Sequence, residues 1–262
     1  MCRAGCFEFG GFMLRSVKEI VGYVLAASDG EIGRCDDFLF DDRDWGVRFM
    51  VAKTSKWLPG RKVVVSPAFL DEPDWASRRL PVHLTKQQIE DSPPLDEHAP
   101  VSRAYEIEYR RHYSLPPYGV GPGGFGAYPW PAEVVNPVPE PLVGAEAEIQ
   151  EKKEEHLRSV EEVIGYIVAA TDRDIGQVND FIVDDQAWAL RYLVVDTGNW
   201  LPGRKVLVAT PWLGLIDWAE QRLHVELDAE SIRNGPEFDP TEPVNRRYEI
   251  EIHDYYGRPY YW

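Results

Sequence analysis

Apolar residues come in short runs or alternate with polar ones, and turn residues separate the runs. Residues 20–27 (IVGYVLAA) are strand-like, and Ser28-Asp29-Gly30 follows with the Asp-Gly pair typical of a hairpin turn. A second strand is expected over 32–40, with Phe38 and Phe40 on one face at period two. After the polar turn Asp41–Asp44, residues 47–52 (VRFMVA) predict a third strand. A fourth covers 62–65, beyond a turn in which Pro59 presets φ and Gly60 supplies a positive φ. Residues 80–84 (LPVHL) alternate and make a fifth. Thr85 and Gln88 then have capping-box spacing for one short helix, which Asp91-Ser92-Pro93 stops. Several short, evenly spaced strands point to a small antiparallel barrel or curled sheet.

The whole pattern occurs twice. Shifted by 143 residues the chain falls on itself, and from Leu14 to Leu70 there are 29 identities in 57 positions with no gap. Trp57-Leu-Pro-Gly-Arg-Lys62 lies on Trp200-Leu-Pro-Gly-Arg-Lys205, and the match closes with Tyr105–Glu108 on Tyr248–Glu251. This period is far longer than solenoid repeats, so it predicts two domains. The expected organisation is an N-terminal extension over 1–12, a first repeat over 13–113, a linker over 114–156 and a second repeat over 157–262. From residue 115 to 144, 14 of 30 residues are Pro or Gly, the composition of an extended tether. Residues 145–156 (AEAEIQEKKEEH) suit a short solvated helix. The uncharged stretch 113–132 has the length of a membrane span, but its five prolines and five glycines exclude that helix. No signal-peptide pattern opens the chain.

Charge narrows the function classes. Asp and Glu number 44 against 28 Lys and Arg, a formal net charge of −16. That disfavours nucleic-acid binding and contact with anionic lipid, and favours a basic protein partner. Three cysteines (Cys2, Cys6, Cys35) make neither a disulfide framework nor a zinc pattern, which suits a reducing, cytoplasmic compartment.

Within one chain, the repeat is itself a filter for chemistry. None of the six histidines falls on another histidine under the shift, so a symmetric histidine site is not expected. His83 and His224, unmatched between copies, are the polar residues to watch for a pocket in a cleft between repeats. Gly121–Gly126 matches GxGxxG formally but follows no strand and opens no helix. Asp37, Asp41 and Asp42 recur as Asp180, Asp184 and Asp185. Clustered carboxylates can hold Ca²⁺ or Mg²⁺, yet Asp at a hairpin turn more commonly accepts backbone N–H bonds. The best interaction candidates are Trp57, Leu58, Arg61 and Lys62 with their copies Trp200, Leu201, Arg204 and Lys205, an apolar anchor beside fixed cations. The competing expectation is that both Trp residues plug the barrel while Arg61 and Arg204 pair with Glu106 and Glu249. The aromatic tail, Tyr255 to Trp262, is expected to cover its own barrel or the neighbouring one.

Asp29–Gly33, Asp36–Asp42 and Val47–Val51 together resemble the PRC-barrel family. The segments Trp57–Lys62, Leu84–Ile89, Pro100–Arg103 and Tyr255–Trp262 are similar to a bacterial branch of stand-alone and tandem PRC-barrel proteins. The family includes the cytoplasmic domain of the photosynthetic reaction-centre H subunit and the C-terminal domain of a ribosome maturation factor. The resemblance implies an all-β fold of two small, partly open barrels, related by a pseudo-twofold axis as an intramolecular pseudo-dimer. It also implies a docking and assembly role, with no shared catalytic centre and no cofactor. The expectation is thus a non-enzymatic scaffold or adaptor that binds a protein partner, with peripheral association to a membrane complex left open. Two alternatives stand beside it: a small-molecule or metal sensor, or an enzyme, with a site between the repeats, and an accessory protein related to the H subunit.

Overall fold

The computed structural model describes residues 14–54, 58, 61–95, 101–116, 157–198 and 203–262. The extension 1–12, the linker from 117 onward with its glycine-rich match and acidic helix, and Trp57, Trp200 and Leu201 lie outside the described residues. The first repeat contains β1 (Leu14–Ser16), α1 (Val17–Ile20), β2 (Val24–Ala27), β3 (Gly30–Phe40), β4 (Val47–Thr54), β5 (Lys62–Val65), β6 (Arg79–Val82), α2 (Lys86–Glu90) and α3 (Arg103–His112). The second contains β7 (Arg158–Ser159), α4 (Val160–Val163), β8 (Ile167–Ala169), β9 (Asp174–Asp184), β10 (Ala189–Asp196), β11 (Lys205–Ala209), β12 (Leu213–Asp217), β13 (Arg222–Val225), α5 (Ala229–Asn234) and α6 (Arg246–Tyr256).

Each repeat builds one open sheet around its long strand. The orders are β5-β4-β3-β2-β6 and β11-β10-β9-β8-β13-β12, and neither closes into a barrel. Glycine lets the long strand approach its neighbour. A Cβ on Gly33 would stand 2.2 Å from the Lys53 carbonyl oxygen, and one on Gly176 would stand 2.0 Å from that of Asp196. Any other residue there would force β3 from β4, or β9 from β10.

Three expectations are corrected. The strand placed over 20–27 starts only at Val24, because Val17–Ile20 forms one helical turn capped by Ser16 and Gly22 turns the chain at φ 88°. The pairing is not purely antiparallel: β2 runs parallel to β6 and β8 parallel to β13. Each repeat also carries more than one short helix. The missed elements are the one-turn helices α1 and α4 and the longer α3 and α6. The longer pair hid because their apolar pattern is inverted. Glu106 and Glu249 are buried, each 1 % exposed, while Ile107 and Ile250 face outward at 42 % and 39 %. Ser102 and Asn245 cap them through hydrogen bonds to the Tyr105 and Tyr248 N–H groups.

These helices explain why the third-strand runs, apart from Arg48 and Arg191, are apolar on both faces. Along β4, Met50 and Ala52 face the main core, while Phe49 and Val51 join a second cluster with Val101 and Tyr109. The Tyr109 ring meets Phe49 edge-on at 4.8 Å. A strand covered on both faces loses its alternation.

The repeats exchange their first strands. β1 pairs with β9 of the other repeat, with Arg15 opposite Val183 and Ser16 opposite Ile182. Reciprocally, β7 pairs with β3, with Arg158 opposite Phe40 and Ser159 opposite Leu39. The two registers are identical under the 143-residue shift, as a pseudo-twofold axis requires. Each exchanged strand occupies the edge of the long strand that β2 or β8 leaves open. Phe40, Trp45 and Phe181 pack against one another at 5.4–6.1 Å across this seam, and Phe38 stacks on Trp188 at 5.7 Å.

Candidate functional site

The most distinctive chemistry of the chain lies on the seam. Ser16 donates its hydroxyl to the Asp180 carboxylate of the other repeat, and the Lys18 N–H reaches the second oxygen at 3.3 Å. Ser159 does the same to Asp37, with the Glu161 N–H at 3.0 Å. Each serine also caps the following helical turn, so one hydroxyl fixes both the turn and the contact. Burial pushes the Asp37 and Asp180 carboxyls upward, against the pull of the serine hydroxyl and backbone N–H groups. Arg15 and Arg158 leave the exchanged strands to stack on Trp75 and Trp218 of their own repeats, at 4.4 and 3.7 Å.

The other repeated aspartates serve the hairpin turns. Asp41 accepts from the Arg43 N–H and from Arg48, and Asp184 accepts from the Gln186 and Ala187 N–H groups. Arg191 closes a two-pronged pair on Asp184 at 2.7 and 3.1 Å. Asp42 meets Arg158 at 3.5 Å. Asp185 is the exception: one of its carboxylate oxygens is buried with no hydrogen bond. Among the described residues, no group of three His, Cys, Asp or Glu side chains is arranged to hold a metal ion.

The interaction loop is only partly in view. Leu58 is half-buried, and its carbonyl lies with that of Arg61 against the Thr54 hydroxyl. In the second repeat Thr197 donates to the Arg204 carbonyl at 3.0 Å. Lys62 pairs with Asp36 at 2.9 Å, and Arg204 donates to the Gly235 carbonyl at 2.6 Å. Lys205 lies in β11, half-buried. The expected pairing of Arg61 and Arg204 with Glu106 and Glu249 is not what forms. Arg103 holds Glu106 at 2.6 Å and Arg246 holds Glu249 at 3.0 Å, because i and i+3 positions of one helix are already adjacent.

A third cluster was not anticipated. Glu249 accepts from Tyr192 at 3.0 Å and from Tyr261 at 2.5 Å, and Tyr192 lies 3.2 Å from His253 Nε2. His253 Nδ1 donates to the Pro259 carbonyl at 2.8 Å, and the single proton of the Tyr192 hydroxyl serves Glu249 or Nε2, not both. Burial depresses the His253 imidazolium and raises the Glu249 carboxyl. The aromatic tail therefore folds back on its own repeat, with Trp262 4.0 Å over the Arg246 guanidinium. His83 is exposed beside Asp71 at 3.2 Å, and His224 lines a surface depression next to β12.

Residue type alone did not flag Ser16, Ser159, Trp45 or Trp188. Their identity under the repeat shift was the available signal. No match was found among curated proteins. Residues 155–231, covering the exchanged strand β7 through the start of α5, match the PRC-barrel domain family. That segment is a PRC-barrel domain.

Proposed function

We propose that the chain is a non-enzymatic scaffold, two PRC-barrel-like halves joined as an intramolecular pseudo-dimer that presents surfaces to a protein partner. The observation that carries this reading is the reciprocal seam. Asp37 and Asp180, one pair of buried carboxylates repeated in both halves, are engaged by Ser159 and Ser16 and by backbone N–H groups. The cleft where an enzyme or sensor would place a pocket is filled by Phe38, Phe40, Trp45, Phe181 and Trp188. The formal charge of −16 favours a basic partner. No described helix is long and apolar enough to cross a membrane.

Affinity purification of the full chain from its native host, read by mass spectrometry, tests the proposal. The expected result is a basic protein recovered in near-equimolar amount and released by salt. A thermal-shift screen is the counter-test. A large rise in melting temperature with one metal or metabolite, and no protein recovered, would replace the scaffold with a sensor or an enzyme.

A further inference from the structure

The two repeats guard their sheet edges differently. In the first, the segment after β5 reads Leu70-Asp-Glu-Pro-Asp74 and makes only two isolated bridges, Leu70 to Val82 and Asp74 to Arg79. Proline removes a ladder donor and acidic side chains discourage an incoming strand, the common defences of an edge. In the second, the same five positions read Leu213-Gly-Leu-Ile-Asp217 and form the strand β12. It ends its sheet, pairing with β13 alone. Leu215 takes the place of Glu72 and is 84 % exposed, well above the other exposed large apolar residues. Beside it lies an open depression of about 590 Å³, lined by Leu215, Ile216, Trp218 and His224.

Resting on the scaffold reading, we infer that the outer edge of β12 docks an extended segment of a partner protein as an added strand. That segment alternates apolar side chains with Lys or Arg. The strand form follows from the open ladder, and the alternation from the single apolar face around Leu215. The charge follows from the surroundings. Asp217 lines the depression, and exposed Glu220 and Glu226 flank it. The nearby cations are engaged: Arg222 grips Asp174 at 2.6 and 2.8 Å and meets Glu220 at 3.6 Å, Arg258 donates to the Glu226 carbonyl at 3.1 Å, and Arg158 sits on Trp218, which leaves Asp217 as the carboxylate facing the depression. A second copy of this chain, with its own charge of −16, is the poorer electrostatic fit.

The test uses the full chain and a fluorescent peptide of about nine residues that alternates valine with lysine. The chain is expected to bind it, with slower amide exchange over Leu213–Asp217. The Leu215→Glu variant, which restores the first repeat's defence at an exposed site, is expected to bind at least about tenfold more weakly at an unchanged melting temperature. A valine–glutamate peptide is expected to bind at least as weakly. Equal binding by Leu215→Glu, or protection elsewhere, overturns the assignment. So does dimerisation through β12 without peptide binding, which would give the edge to a second copy. Native partners recovered equally by wild type and Leu215→Glu would leave the scaffold standing and remove this docking edge.

Discussion

Trp45 and Trp188 occupy the same position of the two repeats, and each offers its carbonyl to the other half. Trp188 accepts from the Val47 N–H at 2.8 Å, and Trp45 accepts from the Leu190 N–H at 2.9 Å. Both hold a left-handed backbone, at φ 59° and 48°, an unusual conformation for a bulky residue. Their buried rings offset that strain by packing on Phe40, Phe181 and Phe38. Trp45→Ala or Trp188→Ala should therefore cost about 3–5 kcal/mol in chemical denaturation. Trp45→Gly should cost about 1 kcal/mol less than Trp45→Ala, since glycine accepts the positive φ. Alanine proving as stable as glycine would contradict the strain.

The serine–aspartate contacts hold the seam from both sides. Asp37→Ala strips the Ser159 hydroxyl and the Glu161 N–H of their acceptor in a buried setting, so a loss of about 2–3 kcal/mol is expected. Asp180→Ala should match it, given the equivalent partners Ser16 and Lys18. Ser159→Ala leaves the carboxylate short of one donor and should cost about 1–2 kcal/mol. Urea titrations of the four chains would measure these. A neutral Asp37→Ala would mean that the contact adds nothing to holding the halves together.

Strand exchange makes each half incomplete alone. The second repeat, expressed as residues 157–262, retains β7 but has no β1 to occupy the open edge of β9. A second copy of the same fragment can supply its own β7 there, because Arg158 and Ser159 are identical to Arg15 and Ser16. The fragment should sediment as a homodimer, and mixing it with residues 13–113 should yield a one-to-one heterodimer. A stable monomeric fragment in analytical ultracentrifugation would show that the exchange is dispensable.

Much of this architecture was readable because the chain supplies two versions of it. The duplication, the order of β3, β4 and β5, and the turns at Asp41 and Asp184 follow from local pattern and from identity between halves. The exchange did not, because a three-residue strand such as Leu14–Ser16 has no periodicity of its own and gains its partner only in three dimensions. Helices α3 and α6 escaped because Glu106 and Glu249 face inward, where amphipathic reading expects Ile107 and Ile250. The Glu249, Tyr192 and His253 cluster escaped for another reason. Its members are 57 and 4 positions apart in sequence, and two of them differ in the first repeat, where Phe49 and Arg110 stand. Of the interaction loop, the described part shows Lys62 paired with Asp36 and Arg204 bonded to the Gly235 carbonyl, partners no spacing rule supplies.

Asp185 breaks the symmetry of the repeated aspartates, and it should give the protein a distinctive pH response. Its counterpart Asp42 meets Arg158, whereas Asp185 has a buried oxygen with no hydrogen bond and lies near Glu72 and Asp184. Burial first, then those two carboxylates, push its carboxyl up to about 6, while Arg15 pulls the other way. Between about pH 4 and 6 the folded chain holds a proton there that the unfolded chain has released. The contribution of Asp185 to stability is therefore largest below that window and is lost as pH rises through 6. Asp185→Asn keeps the shape and removes the buried charge. It should match wild type near pH 4 and exceed it at pH 7.5 by on the order of 1–3 kcal/mol. Paired urea titrations at the two pH values would measure the difference. A stability gap that stays constant with pH would mean that this carboxyl is not the titrating group.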